Sequence, residues 1–425
     1  MPRGSRDLLR FIGQSAIAMS LATIPGQLVI AQESPAKTES AGRTLSLNEC
    51  LAMAMDQQAS IRAARATLHA NIAKSDALER SGRLGAVLSS DLRVRRQQVS
   101  HGIQASRLGV AKAENETRQA VTFTYLMAVY AAQQKRELAA MTANLKQLRE
   151  GASRLAERFP GQLELVEIAN NATASKVPEA DNGYEQALAA LREAIGTCER
   201  VAPANDTIPS ATCSIASKDE AISMAVNNRP EIGQAELASI IFALEIEAQC
   251  RMRFTMAGRT LASGSDLHAI LIPTGQFDEK YLPGAIAPEM PSVIPGNRRD
   301  RVTQAEILAT RATIVREKVQ ALVELESGNA WLRYKQNADK LPTLEKAIKV
   351  AHKRSQELND DLGGDNKVSP RDVLEAGLIE TTLKQQSIEA KLAAIQALAT
   401  LERATGGAFT LELDWKAAAP APKTN

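Results

Sequence analysis

The chain of 425 residues states its architecture twice. Ser46-Leu47-Asn48-Glu49-Cys50-Leu51-Ala52-Met53-Ala54-Met55 recurs as Ser217-Lys218-Asp219-Glu220-Ala221-Ile222-Ser223-Met224-Ala225-Val226. Ile61 and Ala64 return as Ile232 and Ala235 at the same offset of 171. The two halves also end alike. Ala187-Leu188-Ala189-Ala190-Leu191, followed by Ala194 and Gly196, answers Ala397-Leu398-Ala399-Thr400-Leu401, followed by Ala404 and Gly406, now at an offset of 210. A duplication of this kind means two copies of one structural unit. The larger second offset means that the second copy carries an insertion.

The units are helical. Ser46 with Glu49 forms the sequence pattern of a capping box, and Ser217 with Glu220 repeats it. Val110 to Glu150 holds neither Gly nor Pro. Leu138, Met141, Leu145, Leu148 and Leu155 mark a coiled-coil seam within and just beyond it. Val302 to Ser327 is equally unbroken. Beyond Pro342, Leu344, Ile348, Ala351, Ser355, Leu358 and Leu362 form one stripe. Arg371 to Thr405 is interrupted only by Gly377, with Ile388, Leu392, Ile395 and Ala399 on one face. Helices of about 40 residues would run about 60 Å, so they must pack side by side. The expected fold is mainly α, two tandem repeats of long antiparallel coiled-coil helices. Residues 100–158 and 300–361 run one way, and 163–195 and 370–405 run back.

The expected organisation is a signal peptide over 1–31, a flexible lead-in over 32–45 and a first helical repeat over 46–196. A linker covers 197–216. The second repeat spans 217–406 with an insertion at 253–298, and a tail covers 407–425. Arg3, Arg6 and Arg10 precede an apolar stretch from Phe11 to Ile30, and Val29 and Ala31 suit a cleavage site. Removing 1–31 takes away a net charge of +2, and the whole chain carries 51 Lys and Arg against 49 Asp and Glu. The remainder is close to neutral, which gives no basis for nucleic-acid binding. His69, His101, His268 and His352 have no metal-ligand spacing. No nucleophile elbow, P-loop or dinucleotide fingerprint is present. The expectation is therefore a non-enzyme without cofactor or metal. Cys198 and Cys213 flank a Pro-containing loop, and in an exported chain they are candidates for a disulfide. Cys50 and Cys250 fall in helical patterns and are expected to pack as small apolar residues.

Taken together, these pieces resemble the TolC-type outer-membrane efflux protein family over nearly all of the chain beyond the signal peptide. The paired openings Ser46–Ala64 and Ser217–Ala235 match the family's first helix, including Arg229-Pro230-Glu231-Ile232. Gly364, Ser369, Asp372-Val373-Leu374 and Ala376 match the turn between its long helices, and Leu401 to Gly407 its repeat ending. The resemblance implies a homotrimer whose protomers build a periplasmic α-barrel, a passive conduit that docks a periplasmic adaptor and an inner-membrane pump. It implies an exported protein of the periplasm or outer membrane of a Gram-negative-type cell. It also implies that acids near the turns line the pore mouth. The candidates are Asp372 and Glu375, with Arg371 and Gly364 beside them, and Glu164 and Glu167 in the first repeat. For Asp372 the competing role is helix capping from Ser369.

At the membrane end the residues depart from the family pattern, in which each repeat supplies two barrel strands. A membrane strand takes about 9–11 residues. The first break, read as Ser81 to Arg96, is short and holds Arg83, Asp91, Arg93, Arg95 and Arg96. The insertion at 253–298 holds Pro273, Pro283, Pro288, Pro291 and Pro295, which do not suit barrel strands. Aromatic residues are 3% of the chain, too few for the usual interfacial girdles. The expectation is little or no β-barrel: no membrane hairpin from repeat one and at most a short one from repeat two. A barrel-less periplasmic structural protein that conducts nothing is the alternative function.

Overall fold

Ser46 opens the first helix as the spacing predicts. Its hydroxyl accepts the Glu49 amide, and the Glu49 carboxylate accepts the Ser46 amide at 2.8 Å. In this computed structural model, which describes residues 43–80, 90–252, 294, 296–362 and 368–415, helix α1 spans Leu47–Gln57 and α2 Ala59–Arg80. Then come α3 (Leu92–Arg154), α4 (Gln162–Ala174) and α5 (Val177–Ile195). The second repeat supplies α6 (Lys218–Asn228), α7 (Pro230–Arg251), α8 (Arg298–Asp360) and α9 (Pro370–Ala404). The duplication extends to element lengths. Helices α1 and α6 each have 11 residues, α2 and α7 each 22, and α3 and α8 each 63. The second capping box is modified, because Ser217 caps Glu220 while the Glu220 carboxylate accepts from Ala216.

The long helices lie where the unbroken patterns place them. Helix α8 continues through Pro342. An internal proline removes one hydrogen bond, and the packing of α9 along α8 holds the helix together around it. The return arm of repeat one is not continuous. It breaks between α4 and α5 because Pro178, in the first turn of α5, has no N–H to give to Ala174. The first inter-helix break is shorter than the sequence suggests. Helix α3 begins at Leu92, so Arg93, Arg95 and Arg96 are helical and only residues 81–91 separate α2 from α3. Most of the expected insertion at 253–298, the expectation of no membrane hairpin at 81–89, and Gly364 lie outside the described residues.

Burial is distributed as a chain of clusters along the bundle. The largest joins α1, α3, α5 and α9 through Cys50, Val121, Tyr125, Val129, Leu191 and Ile395. A second lies at the turn end, where the seam residues Leu145 and Leu148 meet Leu358, Val373 and Leu374. The inter-repeat linker packs on the first cluster through Val201 and Ile208. Strand β1 (Arg43–Leu45) pairs in parallel with β2 (Val201–Pro203), and β3 (Ser210–Ala211) pairs antiparallel with β4 (Leu413–Asp414). These two short sheets are the only strands among the described residues. The end of the lead-in and the start of the tail are therefore pinned to the linker.

The duplicated glycines have one job in both repeats. Gly196 and Gly406 end α5 and α9 with positive φ, +81° and +64°. Each abuts the elbow of its own repeat's first helix pair. A Cβ on Gly196 would meet Gln58 Cα at 3.1 Å, whereas one on Gly406 would overlap the Asn228 carbonyl oxygen. The left-handed backbone alone costs a side chain about 1–2 kcal/mol, and overpacking adds about 1–3 kcal/mol. Gly406→Ala should therefore lower the unfolding free energy by at least about 2 kcal/mol. Gly196→Ala should cost less, and urea unfolding followed by helical circular dichroism measures both.

Candidate functional site

The turn end carries the charged residues singled out in the sequence. Ser369 caps α9. Its hydroxyl accepts the Asp372 amide at 3.3 Å, and the Asp372 carboxylate accepts the Ser369 amide at 3.1 Å. Asp372 thus fills the capping role while remaining exposed. One turn on, the half-buried Glu375 accepts the Arg371 guanidinium at 2.7 Å. The Arg371 backbone amide donates to Gln162 Oε1 at 3.1 Å, so the start of α4 is tied to the start of α9. Glu167 pairs with Arg149 at 2.8 Å, and Glu164 is exposed in the first turn of α4. Gly161, with φ of +80°, precedes α4. The structure thus brings Arg371, Asp372 and Glu375 together beside α4, with Glu164 and Glu167 on the neighbouring hairpin.

A groove of about 510 Å³ opens beside them between α8 and α9. Arg354 and Leu358 form one wall, Asp372, Glu375 and Ile379 the other. Farther along α9, Glu380 receives His352 Nδ1 and Lys384 Nζ, each at 2.8 Å. Burial pushes the Glu380 carboxyl up, but the hydrogen bonds from Lys384 and His352 outweigh it and hold the group below the usual range. The sequence did not single out this staple, because its members lie 28 residues apart on two helices.

The cysteine pairing is not formed. All four cysteines are free thiols. Cys198 is exposed next to β2, whereas Cys213 lies beyond β3, its amide donating to Tyr334 Oη at 3.2 Å. Cys50 is fully buried, as its helical position suggests. Tyr125 and Trp331 serve packing. Trp331 donates to the Ile215 carbonyl, and Tyr125 meets the Trp415 ring edge-on at 5.9 Å.

Two buried ionic networks escaped the sequence reading altogether. Near one end, Arg95 of α3 reaches Asp91, Gln98 and Glu245 of α7, the last at 2.9 Å through Nη2. Gln249 extends the network to Arg301 of α8. At the elbow of repeat two, Arg229 binds Glu231 and Glu326, and Arg403 binds the other oxygen of Glu326. Burial works against the Arg229 charge, but Glu326 and Glu231 outweigh it, so the guanidinium is held more firmly protonated than usual. Among the described residues, no cluster of three or more His, Cys, Asp or Glu is arranged to hold a metal. No described helix is long and apolar enough to cross a membrane.

No family model and no curated protein matches the chain in sequence. Solved structures do match. The outer-membrane channel OprN superimposes with a TM-score of 0.66 at 15% identity, covering 85% of this chain and 90% of OprN. CusC, described in terms of folding and transmembrane channel formation, gives 0.65 at 15%, covering 91% and 99%. The open state of the Neisseria gonorrhoeae outer-membrane channel MtrE gives 0.62 at 15%, covering 89% and 98%. Two repeats of 63-residue helices with their return arms, almost no strand and no closed barrel among the described residues give this chain the fold of the TolC-type outer-membrane efflux channels.

Proposed function

We propose that this chain is a subunit of a homotrimeric, passive conduit in an efflux or export system. It is exported, stands at the outer membrane of a Gram-negative-type cell, and docks an adaptor and pump at its turn end. The observation that carries the reading is a set of uncovered apolar residues recurring on one face of α8. Ile307, Ile314, Leu325, Leu332 and Val350 are between 47% and 72% exposed. Their spacings of 7, 11, 7 and 18 residues all fall close to whole numbers of helical turns, so the five share one face over about 65 Å. Apolar side chains repeated on one face of a long helix suit contact with a neighbouring helix. A neighbouring copy in a helical barrel would cover the stripe along its whole length.

Closing three copies into a ring would present Asp372 and Glu375, each three times, at the narrowed turn end, with Glu164 and Glu167 nearby. Such a ring favours cations and constrains passage. The adjacent groove suits a helical partner tip.

The test is the mass of the purified full chain by light scattering. Three chains per particle are expected. Ile314→Asp with Leu325→Asp should leave helical content unchanged and yield monomers, because neither side chain is part of the buried core. A wild-type particle of one chain would refute the reading.

A further inference from the structure

We infer that the uncovered face of α8 is the docking surface for the first repeat of a second copy of this chain. That copy's α2 and α5 lie on α8 as α7 and α9 lie on α3 within one chain. The pairing rests on the trimer proposed above and supplies the surfaces that close it.

The repeats run in register. Helices α2 and α7 start at Ala59 and Pro230, 171 residues apart, and α3 and α8 start at Leu92 and Arg298, 206 apart. Packing follows the register. Cys50, Tyr125 and Leu191 share one cluster, and their counterparts Ala221, Trp331 and Leu401 share another. Each short helix is tied to the long helix of its own repeat, Asn71 donating to Ser106 at 2.6 Å and Gln249 accepting from Arg301 at 3.0 Å. Helix α7 packs on a second long helix as well, α3. There Gln234 donates to the Ala105 carbonyl at 3.1 Å, Gln98 donates to the Ile241 carbonyl at 3.0 Å, and a Cβ on Gly233 would meet Leu108 Cδ1 at 2.8 Å. Gln234 and Ile241 are buried, whereas their α2 counterparts Ala63 and Ala70 are exposed.

The long helices show the same difference. Gln119 of α3 donates to Thr400 of α9 at 3.1 Å. The counterpart of Gln119 is Leu325, 56% exposed, and that of Thr400 is Ala190 of α5. The counterpart of Leu108 is Ile314, 60% exposed. One seam between repeats is thus filled within the chain, and its equivalent is open. A second copy that repeats the filled seam sets Ile314 over that copy's Arg62 and Ala63, and Leu325 against its Ala190. The Arg95–Glu245 pair has no equivalent in this seam, because Lys74 stands in the place of Glu245. Apolar contact between helix faces therefore carries it. The contact joins unlike surfaces, and a head-to-tail contact forms a ring when its rotation closes.

The experiment is cross-linking of the purified full chain carrying Arg62→Cys and Ile314→Cys with a short bis-maleimide, after its mass is measured by light scattering. Cys198→Ser, Cys213→Ser and Cys250→Ser remove the native thiols that are not fully buried. Denaturing gels should show two and three linked chains. Either cysteine alone should give single chains only. So should Arg62→Cys with Lys340→Cys, a position about 39 Å farther along α8. Three chains per particle without linked species, or equal linking through position 340, would overturn the pairing and leave the trimer standing. One chain per particle would refute the trimer and the seam with it.

Discussion

Glu326→Ala should lower the unfolding free energy by about 3–5 kcal/mol, the usual consequence of removing one partner from a buried ion network. Glu326 is 3% exposed and is shared by two arginines, Arg229 of the α6–α7 elbow and Arg403 of α9. Removing it leaves Arg229, also 3% exposed, facing only Glu231, and strands Arg403 beside it. The same substitution unclips three segments at once, so the midpoint of urea unfolding should fall without a change in slope. Glu326→Gln keeps the volume and loses the charge, and should fall between the two. The pair Glu326→Ala, Arg403→Met leaves Arg229 balanced by Glu231 and should recover part of the loss. A cost within about 1 kcal/mol for Glu326→Ala, the size expected of an exposed pair, would show that the network is open to water.

Tyr125→Ala should cost about 3–5 kcal/mol, as large aromatic truncations in packed cores do. The ring is fully buried in the cluster that joins α1, α3, α5 and α9. It carries the edge contact to Trp415, and its hydroxyl donates within reach of the Leu45 carbonyl and Asn205 Oδ1, each at 3.2 Å. Burial pushes the phenol up to about 12, so it is a neutral donor throughout the physiological range. Tyr125→Phe keeps the packing. Leu45 O still accepts the Ala204 amide at 2.8 Å, so the loss should be only about 0.5–1.5 kcal/mol. Thermal unfolding of both variants measures the difference. A Phe variant as unstable as the Ala variant would mean that the hydrogen bonds from β1 and the linker, rather than the ring, hold this cluster.

The helices, their caps and their duplication follow from neighbours three, four and seven residues apart. The Ser46–Glu49 and Ser369–Asp372 boxes, the Leu145–Leu148 seam and the glycine endings at Gly196 and Gly406 were therefore plain in the residue order. So were the acids at the turn, because a helix start carries its own signature. Arg95 was misplaced for the opposite reason. The arginines beside it, Arg93 and Arg96, suggest a solvated break, while Glu245, which makes its burial tolerable, lies 150 residues away. Glu326 and Arg403 are 77 residues apart, and no local pattern marks either one. The interruption between α4 and α5, by contrast, is local, because Pro178 stands at the break. Local periodicity determined which residues are helical and how the two repeats are built. Tertiary packing alone decided which charges are buried and which face of α8 is left uncovered. Helix formation rests on contacts within a turn, whereas the cost of burying a charge is set by a partner that the chain brings in from far away.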